Sequence, residues 1–339
     1  MSKLFSEFSL KGMTMKNRLI MAPMCMYSAT DGLVSEWHLV HYGTRAMGGV
    51  GLVMVEATAV SPEGRISDRD LGLWDDNQVP GMARLVEAIH RGGAKAGIQL
   101  GHAGRKADME GVEPIAPVAV RFDPEYQVPR EMTGAHVKRV VEAFGAAAAR
   151  AFLAGFDLVE IHGAHGYLVN QFLSPLVNTR TDDYGGTPEK RARFLQEVTR
   201  AIRSGWPVEK PLCVRVSAEE YVDVGNHPED VAELLAYAIP DGIDLVHVSS
   251  GGVVPAGVRP WSGYQIPHAE IVRTRTGLPV IGGGLVTAPR QAEEIVANGR
   301  ADLVFLGREL LHNPYWPLHA AAELKVDVTW PIQYERAKG

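Results

Sequence analysis

Short apolar runs, each closed by glycine or proline, recur along the chain and alternate with stretches whose apolar residues return every three or four positions. The runs Val50–Ala57, Ala96–Leu100, Phe156–Ile161, Leu212–Ser217, Leu245–Ser249, Pro279–Gly284 and Asp302–Arg308 are nearly continuous in apolar residues, the mark of parallel strands buried on both faces. Arg18–Tyr27 is a further strand, the first, stopped by Pro23. Between the strands fall helical patterns at Trp37–Met47, Val79–Arg91, Pro228–Ala238, Ile266–Thr276 and Ala288–Ala297. Another helix follows Thr133 and carries Val137, Val140, Val141 and Phe144 on one face. A last one follows the cap-like Thr187-Pro188-Glu189.

Repetition of strand and helix predicts an α/β fold, a (β/α)8 barrel occupying residues 1–339 as one domain. A doubly wound open sheet is the alternative. Against it, proline and methionine follow the first strand where a dinucleotide fold has a glycine-rich turn. Phe8–Lys16 alternates around Gly12 and reads as a hairpin plugging one end of the barrel. From about Asp108 to Thr133 the chain is rich in proline and charge without either period, a long loop insertion after the third strand.

The fourth strand runs into Ile161-His162-Gly163-Ala164-His165-Gly166-Tyr167-Leu168, delivering two imidazoles and a phenol to a carboxyl end, where barrel enzymes keep their chemistry. Three readings compete: a metal site lacking a third ligand, structural histidines bonded to carbonyls, or a pair of hydrogen-bond donors aimed at one substrate oxygen beside a phenolic acid. The glycines favour the last, because they allow a ligand close to the backbone.

Gly282-Gly283-Gly284 and Gly307-Arg308 end the last two strands, where barrels often bind phosphate; tight turns are the plain alternative. Gln99 and Arg215 suit a flat heteroaromatic ring, the amide facing an imide edge and the cation facing a ring that gains charge on reduction. For Arg215, buried in an apolar run, a structural ion pair stays open.

Composition narrows the function. A net charge of -6, from 34 basic and 40 acidic residues, offers no cationic surface for nucleic acid or membrane. Cys25 and Cys213 are too few for a disulfide framework or an iron–sulfur cluster. With no apolar leader or membrane-length stretch, a cytoplasmic protein is expected.

Ala22–Tyr27, Gly101–Lys106, His162–Leu168, Asn178–Gly186, Val246–Gly252 and the ending Gln333-Tyr334-Glu335-Arg336 together resemble the Old Yellow Enzyme family of flavin-dependent ene-reductases, within it the YqjM-like bacterial subgroup. The resemblance spans nearly the whole chain. It implies noncovalent FMN, NADPH or less often NADH as reductant, and an activated alkene as acceptor. It also implies that Pro23, Met24, Cys25, Ala57, Gln99 and Arg215 contact the flavin ring, and that Gly283, Gly284, Gly307 and Arg308 hold the phosphate, with Gly282 the neighbouring alternative. His162, His165, Tyr167 and Tyr27 would face substrate: the histidines hold the carbonyl, hydride comes from flavin N5, and Tyr167 gives the proton. Arg336 would reach the neighbouring subunit's site in a homodimer or a homotetramer of such dimers. Two other functions stay open: an FMN-dependent hydroxy-acid oxidase, and a phospholigand-binding barrel without catalysis.

Overall fold

The computed structural model describes residues 2–338. Among them, eight parallel strands form a ring that closes by pairing the first strand, Leu19–Met21, with both the eighth, Leu303–Leu306, and the second, Leu52–Ala59. The others follow in chain order: Lys95–Gly101, Leu158–Gly163, Leu212–Ser217, Leu245–Ser249 and Val280–Gly282. Closure leaves the barrel without an open edge, and the doubly wound alternative falls.

Alternation along each strand divides the apolar residues between two layers. Ile20, Leu52, Leu158, Cys213, Leu245, Ile281 and Leu303 point inward and pack together. Met13 and Met15 join that inner cluster from the hairpin of Phe8–Leu10 and Met13–Met15, which therefore plugs the barrel's N-terminal end. The opposite residues pack outward against helices, among them Val140 and Phe144 of Gly134–Leu153 and Phe194 and Val198 of Pro188–Gly205. Both helices begin where capping chemistry places them: the Thr133 and Thr187 hydroxyls accept the backbone N–H groups of His136 and Lys190.

The proline-rich insertion is not wholly irregular. Ile115–Ala116 pairs with Arg130–Glu131, pinning its base with a two-residue ladder too short to register as a period. Short helices at Leu168–Leu173, Arg308–His312 and Trp316–Glu323 add to the elements expected from the sequence. No helix among the described residues is long and apolar enough to cross a membrane.

Candidate active site

The fourth strand sends Leu158 into the inner cluster, so Glu160 and His162 point the same way, toward the carboxyl-end mouth. Beyond Gly163 the backbone turns through two left-handed residues, His165 (φ 58°) and Gly166 (φ 75°). Only glycine fits the second, since a Cβ there would lie 2.2 Å from the Gly252 carbonyl oxygen. Ser217 Oγ accepts the His165 N–H at 2.9 Å, Asn170 Oδ1 accepts the Gly166 N–H at 2.8 Å, and Lys106 Nζ donates to the His165 carbonyl at 3.0 Å. This turn folds the three rings together. His162 meets His165 edge-on at 5.3 Å between centroids and Tyr167 at 4.7 Å.

Both imidazoles are neutral. Burial, helped by the Arg215 cation, pushes His162 down to about 3 and His165 down as well. The Ala164 N–H donates to His162 Nδ1 over a long 3.4 Å, which leaves the proton on Nε2. His165 is arranged the other way round. Its Nε2 lies 2.7 Å from Ser249 Oγ, and that hydroxyl already accepts from Gln265 Nε2 at 3.2 Å. Ser249 Oγ has no other acceptor for its hydrogen among the described residues, so that hydrogen goes to His165 Nε2, and the imidazole keeps its own hydrogen on Nδ1. Each ring thus has one N–H left over for a ligand. Burial, with Cys25 and Tyr27 nearby, pushes the Tyr167 phenol well up, so it too carries its proton.

Arg215 rises from the fifth strand beside the pair. It is buried, its Nε has no partner, and among the described residues it forms no salt bridge; its guanidinium faces the Phe305 ring 5.7 Å away. An unpartnered buried cation is costly unless a ligand completes it, and the structural ion pair left open above is absent. On the third strand, in register with Glu160, the Gln99 amide nitrogen lies 2.7 Å from Glu160 Oε1.

The loop after the first strand holds Pro23, Met24, Cys25 and Tyr27, fastened by a residue the sequence does not advertise. The pairing of the second and third strands skips a residue between Val55 and Ala57, a bulge that turns Glu56 away from the barrel. Glu56 then accepts the Met26 N–H at 2.9 Å and the Tyr42 hydroxyl at 2.7 Å. Ala57, after the bulge, lies by His162 and Tyr167 in a small shared cavity.

A cleft of about 420 Å³ opens beside Arg215 at the ends of the seventh and eighth strands, lined by Ser249, Tyr264, Gln265, Gly284, Gly307 and Arg308 among others. Of the three glycines, Gly282 faces the helical layer, where a Cβ would press on Ala269, Ala301 and Ile266 at 3.1 Å. Gly284 has φ +93° and would meet the Tyr264 ring at 2.9 Å, and Gly283 would meet the Phe305 ring at 2.7 Å. At Gly307 the nearest atom to an added Cβ is Met24 Sδ at 3.8 Å, so its backbone is open to the cleft. A larger cavity of about 730 Å³ lies at the barrel's other end, lined by Lys16, Gly49 and Gly93. Those residues precede strands, the end that serves stability rather than chemistry.

Arg336 is not brought to the mouth of its own chain. It is exposed on the terminal turn Ile332–Ala337, which the Tyr334 and Tyr315 hydroxyls, 3.3 Å apart, tie to the body. Ser249, Gln265 and Tyr264 were missed from sequence. Ser249 was within reach, because it follows Leu245 and His247 in alternation on the sixth strand; Gln265 and Tyr264 lie in a loop without period. Among the described residues no group of three or more His, Cys, Asp and Glu is placed to hold a metal.

Such a mouth, with an unpaired cation beside a glycine-edged cleft, fits a flavin-dependent barrel oxidoreductase. Residues 3–327 match the NADH:flavin oxidoreductase / NADH oxidase family, and the chain belongs to that family. It is similar to NADPH dehydrogenase of Geobacillus thermodenitrificans (strain NG80-2), 52% identical over 335 residues and 98% of both chains. It is also similar to NADPH dehydrogenase of Bacillus licheniformis, 51% identical over 337 residues, 99% of this chain and 98% of the other. Among solved structures, morphinone reductase superposes with a TM-score of 0.83 at 30% identity, covering 97% of this chain and 91% of that one. The protein is an enzyme of the Old Yellow Enzyme type, with FMN as its cofactor.

Proposed function

We propose that the enzyme uses NADPH, and less readily NADH, to reduce the C=C bond of α,β-unsaturated aldehydes, ketones and related activated alkenes. The observation that carries this reading is the pair of neutral imidazoles, each with one N–H free, set edge-on beside the protonated Tyr167 and next to Arg215. A hydroxy-acid oxidase needs a histidine that takes a proton, which rings held this far below their usual range do poorly. Relatives named NADPH dehydrogenase and a morphinone reductase structure in complex with tetrahydroNAD support the nicotinamide donor.

The residues present fit FMN. Arg215 Nε lacks a partner, the glycine-edged cleft can take a ribityl chain and phosphate, and the Gln99 amide, held on Glu160, keeps its oxygen and one N–H for a ring edge. Pro23, Met24, Cys25, Ala57, Gln99 and Arg215 would hold the ring, with Gly283, Gly284, Gly307 and Arg308 at the phosphate. FMN, when bound there, would supply hydride transfer between the nicotinamide and the β-carbon of the alkene. His162 and His165 donate to the acceptor's carbonyl oxygen and stabilise the negative charge that grows there. Tyr167 delivers a proton to the α-carbon, and Tyr27 walls the pocket. A reducing cytoplasm suits the two free thiols.

Cys25 is half-buried and its thiol is pushed up by burial and then by Asp70 and Glu56, so it meets the ring as a neutral S–H. Cys25→Ala is expected to move the FMN midpoint potential by about 30 mV, about 1.4 kcal/mol for a two-electron couple. Redox titration against a reference dye checks this; an unmoved potential reduces Cys25 to packing.

Arg336, exposed in its own chain, completes the site of a second copy. Trp37, Val40 and Met47 along the helix Glu36–Met47 are exposed, and Ile332 of the terminal turn shares a cavity with Met47, an apolar surface that suits a homodimer or a tetramer of dimers. Arg336→Ala is expected to raise the acceptor's KM about tenfold, about 1.4 kcal/mol, with FMN content unchanged. Light scattering and steady-state kinetics test it together: an active monomer, indifferent to the substitution, contradicts the shared site.

A further inference from the structure

Beneath the mouth lies a charged group that the chemistry above does not use. Glu160 is fully buried inside the barrel. Its Oε1 accepts from Gln99 Nε2 at 2.7 Å, and its Oε2 accepts from His247 Nδ1 at 2.8 Å and from the Cys213 thiol at 3.4 Å. These partners come from three different strands, with Gln99 and Cys213 directly opposite Glu160 in register. Burial lifts the Glu160 carboxyl, but His247, Arg215 and Gln99 together bring it down to about 2. Burial pushes the His247 imidazole below its usual range, so it donates Nδ1–H as a neutral ring, and Glu160, with three donors converging on its two oxygens, is an ionised carboxylate in the barrel floor with no Lys or Arg within ion-pair distance among the described residues.

Two consequences reach upward. An amide has two N–H donors and one carbonyl oxygen, and a carboxylate can take only the N–H side. Glu160 thereby fixes the Gln99 side chain, leaving its oxygen and its second N–H for the ring edge, an acceptor and a donor side by side. The second consequence is charge. Arg215 and Glu160 feel each other's fields. Arg215 alone would favour the extra negative charge that the flavin ring takes up on reduction; a carboxylate in the same low-dielectric space opposes it.

We propose that Glu160 is a positioning residue of the flavin site: it orients Gln99 toward the ring edge and, by offsetting Arg215, keeps the FMN potential low enough for the reduced cofactor to give up hydride readily. The inference rests on the assignment of Gln99 and Arg215 to the ring. FMN retention in Gln99→Ala and Arg215→Ala tests that assignment separately: both variants holding FMN as tightly as the parent would remove it.

The test is the FMN midpoint potential of the loaded Glu160→Gln enzyme, with Glu160→Asp as the charge-keeping control. Removing the charge is expected to shift the oxidised–reduced equilibrium tenfold or more toward reduced FMN, about 30 mV positive. Flavin reduction by NADPH should become faster and hydride delivery to the alkene slower, an opposition that general loosening of the barrel does not produce. Glu160→Asp should stay near the parent potential. Should Glu160→Gln fail to fold, Cys213→Ser, near-isosteric with a stronger hydroxyl donor onto Oε2, carries the test with a smaller shift of the same sign. A loaded Glu160→Gln enzyme with the parent's potential, or in its absence a Cys213→Ser enzyme unmoved, overturns the proposal.

Discussion

Replacing both His162 and His165 with alanine is expected to abolish the long-wavelength charge-transfer band that a para-substituted phenol gives on binding over the flavin, while FMN stays bound. The reasoning starts from protonation. A neutral imidazole held beside the substrate oxygen donates one N–H without itself gaining or losing charge, and burial keeps both rings neutral. A phenolate, or the oxygen that gains charge during alkene reduction, then meets two donors in a site shielded from water. Losing one such donor typically costs about 10²- to 10³-fold in rate, about 3 kcal/mol. Because both donors serve one oxygen, the double variant should lose at least ~10³-fold, without the two single effects adding. Acceptor binding in the parent enzyme should also show no histidine titration between about pH 5 and 8, since both rings stay neutral across that window. A band of full strength in the double variant would remove the donor pair from the account.

Tyr167→Phe is expected to separate the two halves of the cycle. Only the reduction of the alkene needs a proton at carbon, and the phenol, held protonated by burial, is the acid nearest the imidazole pair. The oxidative half-reaction should slow by about 10²- to 10⁴-fold, the usual worth of a positioned general acid. Reduction of the flavin by NADPH should stay within about twofold of the parent. In a stopped-flow experiment, equal slowing of both halves would make Tyr167 a wall of the pocket and no more.

The histidine–tyrosine cluster was legible in the sequence because all three rings hang on one local turn, whose glycines announce it. The same locality explains elements read with their exact bounds: Val79–Arg91 has a clear helical period, and Leu212–Ser217 and Leu245–Ser249 are clear apolar runs, each closed by glycine or a charged turn. Trp316–Glu323 escaped since Trp316, Pro317, Leu318, Ala320 and Ala321 are all buried, leaving no amphipathic stripe to read. Glu160 was hidden for a different reason. It sits within an apolar run, and the groups that make a buried carboxylate tolerable arrive from three other strands. Glu56 depends on a bulge, a mismatch between two strands that neither carries alone. The reading of Arg336 rests on resemblance alone, for nothing in its own chain brings it to a pocket.

The most direct measurement is an anaerobic double-mixing experiment on the FMN-loaded enzyme, in which NADPH is added first and a cyclic α,β-unsaturated ketone second, with the flavin absorbance followed throughout and the product identified. The account predicts bleaching on the first mix, recovery of the oxidised flavin spectrum on the second, and one equivalent of the saturated ketone. Bleaching by NADPH that molecular oxygen reverses and the unsaturated ketone does not would contradict it.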